Sequence, residues 1–483
     1  MKIYNTLCRS KKDFIPLKQG HVSIYVCGVT VYDECHLGHA RAYVVFDILR
    51  RYLKYKGYKV RYVQNFTDVD DKIIGKAQHL FDEDKDIFHA SKDISECFIA
   101  RYFEDMDALG ILRADEYPKA TEHIPEMIEM IQVLIDKGYA YVVDDREVFF
   151  AVNASESYGK LSGKKLEDLQ AGQRVNVDTR KKNPLDFVLW KPSKSNEPKW
   201  ASPWGEGRPG WHIECSAMAV KHLGETFDIH GGGADLVFPH HENEIAQAES
   251  CTDKCFARYW MHNGFLRSGE EKMSKSLGNT LTLKKLYEDY DPEVLRFFLL
   301  TSHYRSPMHL NNDSFDKVKE QCHRGYMMLK SAALFLTQKT EAITTDPMTK
   351  IKDKWLNGMD DDMNTSIAVS CLFEIVLQAN LLMKSGHVAD DKRGELQGWL
   401  EIFHEIASVL YVFQKPYIII GEDTKVSDDF EKKLQDLLLQ RKALRGQKDW
   451  KNADKVRDDL LSCQKDIELE DTSFGSFVVY KKN

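Results

Sequence analysis

The chain has 483 residues, more than one hydrophobic core usually serves, so three or more domains are expected. Its 43% hydrophobic and 29% charged residues suit a soluble globular protein, no apolar run approaches the ~18 residues of a membrane span, and a net charge of −8 leaves nucleic-acid binding to local basic surfaces. Ten scattered cysteines, in a chain whose Met1-Lys2-Ile3-Tyr4 start lacks an export pattern, point to metal-binding or reactive thiols in the cytoplasm and away from disulfides or a membrane partner.

In chain order, His21 to Val29 is rich in Val, Ile and Tyr and predicts a buried strand. After a turn-like stretch, Ala40 to Lys56 predicts a helix, with Tyr43, Phe46, Leu49 and Leu53 on its apolar face and Gly57 at the left-handed cap position. Lys59 to Phe66 predicts the next strand. This spacing predicts parallel pairing with a right-handed crossover, the opening of an α/β domain built on a Rossmann-like parallel sheet. Such sheets bind ligands beyond the carboxyl ends of their strands, and Cys27 to His39 falls at that edge. Residues from about 100 to 200 are expected as an insertion between the sheet halves. Beyond Pro307 only Pro347 and Pro416 remain, and helical periodicity takes over. The expected organisation is a catalytic domain over 1–310 with a connective region at about 250–310, an α-helical bundle over 311–414, and a small, mostly helical C-terminal domain over 420–483.

Two short stretches carry the most specific chemistry. His36-Leu37-Gly38-His39 sits just before the first helix, where imidazole N–H groups and the helix dipole can meet phosphate. Lys272-Met273-Ser274-Lys275-Ser276 lies between Gly269 and Gly278, where its two lysines could close over a triphosphate. The pair resembles the signature motifs of the class I aminoacyl-tRNA synthetases. That resemblance implies that His36, Gly38 and His39 contact ATP and that Lys272 and Lys275 stabilise the transition state of adenylate formation. Lys275 would be the main phosphate ligand. Mg²⁺ would accompany ATP, held largely by phosphates and water.

A second group of residues has metal-ligating chemistry. Cys27 ends the first strand, Cys215 follows Trp211-His212-Ile213-Glu214, and His240 and Glu244 stand one helical turn apart. Two thiolates, an imidazole and a carboxylate make a zinc shell, but by spacing alone Cys35, His212, His230 or His241 could take a place in it. Tyr25 to Asp33, Gly210 to Met218 and Phe227 to Gln247 resemble the cysteinyl-tRNA synthetases in particular. The resemblance implies one zinc held by Cys27, Cys215, His240 and Glu244. It also implies cysteine contacts from Gly28, Thr67, Trp211 and His230, and a nucleoside-binding loop at Gly231, Gly232 and Asp235. The partners implied are ATP, L-cysteine and tRNA(Cys), and a monomer is expected. Zinc answers a selectivity problem: a pocket contact separates near-isosteres by only ~1–3 kcal/mol, whereas a soft metal binds a thiolate and takes a protonated hydroxyl poorly.

Further on, Asp361 to Thr365 is expected to open a helix of the bundle. Arg441, Lys442, Arg445, Lys448, Lys451, Lys455 and Arg457 place cations around Trp450, a pattern suited to RNA phosphates with an aromatic for a base. Leu469 to Gly475 resembles the family's terminal strand. There Phe477 or Tyr480 stands where a tryptophan is common.

Overall fold

The computed structural model describes residues 1–80, 86–164, 178–194, 196–268, 271–272, 281–310, 313–336, 341–384, 390–414, 418–419, 428–463, 467–472 and 475–480. The chain divides into two compact units, Met1–Asn312 with Met359–Asn364, and Asp313–Gly358 with Thr365–Asn483.

The first unit opens with a hairpin, β1 (Lys2–Asn5) and β2 (Ser10–Asp13), followed by β3 (His21–Val26), α1 (Leu37–Tyr55) and β4 (Lys59–Gln64). Strands β3 and β4 run parallel, in register from His21–Lys59 to Val26–Gln64. The helix begins three residues earlier than its apolar face suggests because His36 caps it, and the chain turns away at Gly57, whose φ is +89°. Next come α2 (Asp71–Leu80), α3 (Ile87–Ala108), α4 (Ile124–Asp136), and the strands β5 (Ala140–Val143), β6 (Glu147–Phe150), β7 (Phe187–Pro192) and β8 (Gly207–Pro209). These four form an antiparallel sheet in the order β5-β6-β7-β8, an element the sequence reading did not contain.

Helix α5 (Trp211–Leu223) returns the chain to the parallel sheet through β9 (Phe227–Gly233), α6 (Glu242–Thr252) and β10 (Ala257–Asn263). The parallel sheet has the order β10-β9-β3-β4. Helix α4 and the antiparallel sheet share a core with the parallel sheet. Ile124, Met127, Ile131 and Leu134 of α4, with Val148, Phe150, Leu189 and Trp190 of the antiparallel sheet, join Tyr25, Val63, Phe227 and Trp260 of the parallel sheet in one buried cluster. Short strands β11 (Leu266–Ser268), β12 (Glu271–Lys272) and β13 (Met308–Leu310) form a third sheet. Between β12 and β13 lie α7 (Leu283–Asp289) and α8 (Pro292–Leu300), capped by the side chains of Thr282 and Asp291.

The return segment Met359–Asn364 is tied into this unit by Asp362, which is fully buried. Its carboxylate accepts from the Tyr4 backbone N–H (2.8 Å), the Tyr304 hydroxyl (2.7 Å) and Arg305 Nε (2.7 Å).

In the second unit, α9 (Ser314–Phe335), α10 (Asp346–Asp360), α11 (Thr365–Met383) and α12 (Asp390–Leu410) are long helices, α10 closing in the return segment. Helix α11 is long and apolar enough, by length and composition, to cross a membrane, which corrects the expectation that no run approaches that length. Ala368, Leu372, Ile375, Ala379 and Met383 recur at helical spacing and are buried against neighbouring helices, which accounts for one apolar face, while Leu377 and Leu381 are exposed on another. The end of the chain adds β14 (Ile418–Ile419), α13 (Asp428–Gly446), α14 (Trp450–Ser462), β15 (Ile467–Thr472) and β16 (Gly475–Tyr480). Its three strands pair in the order β14-β16-β15, and Leu434, Leu438, Val456 and Leu460 lock the two helices together.

Candidate active site

Cys27 leaves the end of β3, its N–H donating to the Gly231 carbonyl of β9 (3.2 Å). Cys215 stands on the second turn of α5, and His240 and Glu244 face one another across the start of α6. The ligand atoms of these four buried residues all lie within 4.8 Å of one another. The sulfurs are 3.8 Å apart, Cys27 Sγ is 3.4 Å from Glu244 Oε1, and His240 Nε2 is 3.0 Å from that oxygen. Two thiolates each about 2.3 Å from a tetrahedral ion stand roughly 3.8 Å apart, so the donor set fits zinc in kind and in spacing. An overlapping set, Cys27, His230, His241 and Glu244, is equally compact but offers a single sulfur.

The histidines around this set have fixed roles. His212 Nδ1 lies 2.9 Å from His240 Nδ1, which turns His240 Nε2 toward Cys215 and Glu244. His230, placed by sequence among the cysteine contacts, is fully buried behind Glu244, with Nε2 2.8 Å from Oε2 and its ring stacked on Trp260. His241 Nε2 approaches Cys27 Sγ at 3.3 Å. Its Nδ1 meets His262 Nε2 (2.8 Å), and His262 Nδ1 meets Thr6 Oγ1 (2.8 Å). The sequence reading named neither His262 nor Thr6. The density of histidines between His230 and His262 was the available signal. Cys35 is buried but belongs to neither compact set.

Burial and charge act together here. The Cys27 thiol donates to Cys215, whose pKa is lowered to about 6, while burial pushes Cys27 well up: one proton serves two sulfurs. Burial works against a charge on His240, yet Glu244 and Cys215 raise it to about 10. Glu244 is held well below the usual carboxylate range by His230 and His240 despite its burial. Burial pushes His212 and His262 down to about 3. The site is therefore a buried nest of negative donors facing one cation.

Around this nest, Trp211 is 41% exposed and stacks on His240 with ring centres 4.2 Å apart. Gly28 is required by a close approach: a Cβ there would lie 1.6 Å from the Asn65 carbonyl oxygen. Its N–H donates to Asn65 Oδ1 (2.9 Å). Thr67 is buried three residues past the end of β4, its N–H donating to the Val29 carbonyl (3.1 Å). Gly231 and Gly232 are small because of packing, since a Cβ would meet the rings of Phe46 and His241 respectively. Asp235 lies in the exposed turn after them.

The first motif caps α1 reciprocally. His36 Nδ1 accepts from the Gly38 N–H (3.1 Å) and His39 Nδ1 from the His36 N–H (3.3 Å), with the rings stacked 3.7 Å apart. An Nδ1 that accepts leaves its ring proton on Nε2, so both rings have an Nε2–H donor. Lys272 ends β12. Met273, Ser274, Lys275 and Ser276 lie outside the described residues. The segment following them returns to the first motif: Leu37 N–H donates to the Leu281 carbonyl (3.0 Å) and Leu283 N–H to that of Cys35 (2.8 Å).

Near the C-terminus the expected basic surface is corrected at one position. Arg441 is 3% exposed and belongs to the interior, whereas Lys442, Lys448, Lys451, Lys455 and Arg457 are exposed. Trp450 is 57% exposed, with the Arg445 guanidinium 5.9 Å from its ring centre. The side chains of Phe477 and Tyr480 lie outside the described residues.

Comparison with known proteins adds independent findings. The family model described as tRNA synthetases class I (C) catalytic domain matches residues 13–320, and a DALR domain model matches 354–414. A cysteine–tRNA ligase of Thermodesulfovibrio yellowstonii is 48% identical over 484 residues, covering 98% of each chain. One of Geobacter metallireducens is 46% identical, covering 99% of each. A solved Mycobacterium tuberculosis methionyl-tRNA synthetase in complex with methionyl-adenylate shares the fold, with a TM-score of 0.61 and 16% identity over 81% of this chain and 91% of that one. A histidine motif capping the helix at the parallel-sheet edge, a compact thiol-rich cluster at the end of β3 and near-full-length similarity converge: the chain belongs to the cysteinyl-tRNA synthetases of the class I aminoacyl-tRNA synthetase family.

Proposed function

We propose that the enzyme selects cysteine through one zinc held by Cys27, Cys215, His240 and Glu244 and loads it onto tRNA(Cys) in two steps. The observation that carries this reading is the 3.8 Å separation of the two buried sulfurs, with an imidazole and a carboxylate closing the set. When bound, zinc would supply a soft Lewis-acid seat for the substrate thiolate, which a serine hydroxyl cannot match. His212 keeps His240 aimed at the metal, and His230 steadies Glu244.

Gly28, Thr67 and Trp211 line the remaining space for cysteine. Gly231, Gly232 and Asp235 form the edge for the nucleoside. His36 and His39 present Nε2–H donors to the ATP phosphates, and Lys272 and Lys275 neutralise charge on the α-phosphorus and the departing pyrophosphate. The cysteine carboxylate attacks the α-phosphorus and pyrophosphate leaves. A 3′-terminal ribose hydroxyl of the tRNA then attacks the adenylate carbonyl and AMP leaves. Mg²⁺ enters with ATP. Residues 1–310 serve as catalytic domain, 311–414 as bundle and 420–483 as the anticodon-binding end, in a monomer working in the cytoplasm.

The decisive experiment is charging of tRNA(Cys) with labelled cysteine by metal-analysed protein. About one zinc per chain and cysteine-specific charging are expected. Absence of zinc from protein purified without chelators would overturn the metal reading, and cysteine-dependent pyrophosphate exchange without charging would overturn the tRNA reading.

A further inference from the structure

Arg41 stands one turn into α1, just past the first motif, and is 1% exposed. Its guanidinium donates to the carbonyls of Phe265 (2.7 Å), Tyr304 (3.2 Å) and Ser306. Among the described residues no carboxylate pairs with it. A buried guanidinium without a counter-charge is costly, and a fold that needed only packing here would use Leu or Met. Burial lowers its pKa to about 10, so it remains charged at neutral pH.

The three carbonyls lie just before two paired strands of the sheet that holds Lys272. Phe265 precedes β11, which pairs with β12 and so leads to Lys272. Tyr304 and Ser306 precede β13, which pairs with β11 in parallel. Where the two segments enter this pair, Gly264 N–H donates to the Tyr304 carbonyl (2.8 Å), and a Cβ on Gly264 would come within 2.5 Å of the Arg305 oxygen and 2.7 Å of the Ser306 oxygen. Downstream of the lysine motif, residues 281–283 pair with Cys35 and Leu37. Both flanks of the second motif are therefore fastened to the helix that carries the first.

We propose that Arg41 is a positioning residue for adenylate formation: its planar fork fixes the helix bearing His36 and His39 in register with the strands that present Lys272. The inference rests on the function proposed above. A fork of five donors can serve three carbonyls at once, whereas a lysine ammonium on a flexible stem cannot hold the same geometry. Misplacement of phosphate-binding groups by about 1 Å costs up to ~100-fold in rate, and that cost falls on the transition state more than on ground-state binding.

The test uses zinc-loaded, full-length Arg41→Lys, Arg41→Met and Gly264→Ala, assayed for cysteine-dependent pyrophosphate exchange, zinc content and thermal unfolding. In Arg41→Met, kcat should fall about 10–100-fold with a raised KM for ATP, while KM for cysteine and zinc content stay at wild-type values. Arg41→Lys should fall between the two. Gly264→Ala should reproduce the split with the guanidinium intact, and it decides the question if Arg41→Met does not fold. Wild-type kcat in Gly264→Ala and in whichever Arg41 variants fold would overturn the proposal. So would parallel loss of zinc and cysteine affinity in a variant that folds, which marks a merely structural residue. If the wild-type protein itself gives no cysteine-dependent exchange, the proposed function fails and this inference with it. Exchange by the wild type alongside unchanged variants sinks only the role of Arg41.

Discussion

Cysteine and serine differ by one atom, and the zinc site proposed above would answer to that atom. Cys215 contributes one of two soft donors and has the more acidic thiol. Cys215→Ser should reduce bound zinc from about one per chain to a small fraction. It should also let the preference for cysteine over serine drop toward the ~10–200-fold that a pocket contact supplies. Metal analysis beside paired cysteine and serine pyrophosphate exchange checks this, and retained zinc with retained selectivity would remove Cys215 from the shell. The residue types of the set were legible in the sequence, but their meeting was not, because Cys27 and Cys215 are 188 positions apart. Nor could spacing decide among rival histidines. His241 reaches Cys27 Sγ itself (3.3 Å), whereas His212 belongs to neither compact set, and only tertiary distance shows that it meets His240 (2.9 Å).

On α3, Asp105 is buried with one carboxylate oxygen that finds no hydrogen-bond partner among the described residues, and burial together with Glu34 raises its pKa to about 7. The folded state holds this proton more tightly than the unfolded chain, so Asp105 costs stability increasingly as pH rises from about 4 through 7. Asp105→Asn should stabilise the protein at pH 8 by about 1–2 kcal/mol, discounted from a ~4 kcal/mol ceiling for partial solvent screening, and change little at pH 4. Denaturant titrations at both pH values test this, and an equal effect at both would exclude the titration.

Helices α13 and α14 offer a different test. Lys448, Lys451 and Lys455 are exposed around Trp450, and their joint replacement by alanine should raise KM for tRNA several-fold. The salt dependence of tRNA binding should become shallower by about one unit of slope per lost phosphate contact. An unchanged slope would take these lysines off the RNA. At this scale the sequence was uneven. The strand–helix–strand opening was clear because β3 is a run rich in Val, Ile and Tyr and α1 has an apolar face at helical spacing, closed by Gly57. The antiparallel sheet stayed hidden because its strands span three to six residues. Its first hairpin turns on Asp144 and Asp145, both at positive φ (49° and 55°), without the Asn-Gly or Asp-Gly that announces such turns.

For the whole molecule, the change of composition beyond Pro307 falls near the division after Asn312, but nothing in the sequence marks Met359–Asn364 as part of the first unit. Asp361 and Asp362 look like an acidic helix start, whereas Asp362 spends its carboxylate on Tyr4, Tyr304 and Arg305. Two truncations should therefore behave differently. Ending the chain near residue 420 should spare cysteine-dependent pyrophosphate exchange and raise KM for tRNA about tenfold or more, through loss of the basic helices. Ending it at residue 312 should lower both exchange and melting temperature, because the buried partners of Asp362 are stranded. Equal exchange by the two fragments would show that the return segment is dispensable.

The same return segment sets a schedule for synthesis. The catalytic unit is covalently complete only at Asn364, about fifty residues after Asn312 has left the peptidyl-transferase centre. At ~5–20 residues per second the ribosome takes ~3–10 s to supply the carboxylate that Tyr304 and Arg305 await. Nascent chains arrested with residue 330 emerged should thus be cut by protease more readily than those with residue 380 emerged, and equal resistance would mean that the unit closes early. The first helices of the second unit are then made while the unit before them is still open, so the order of residues along the chain is not the order in which the two units finish.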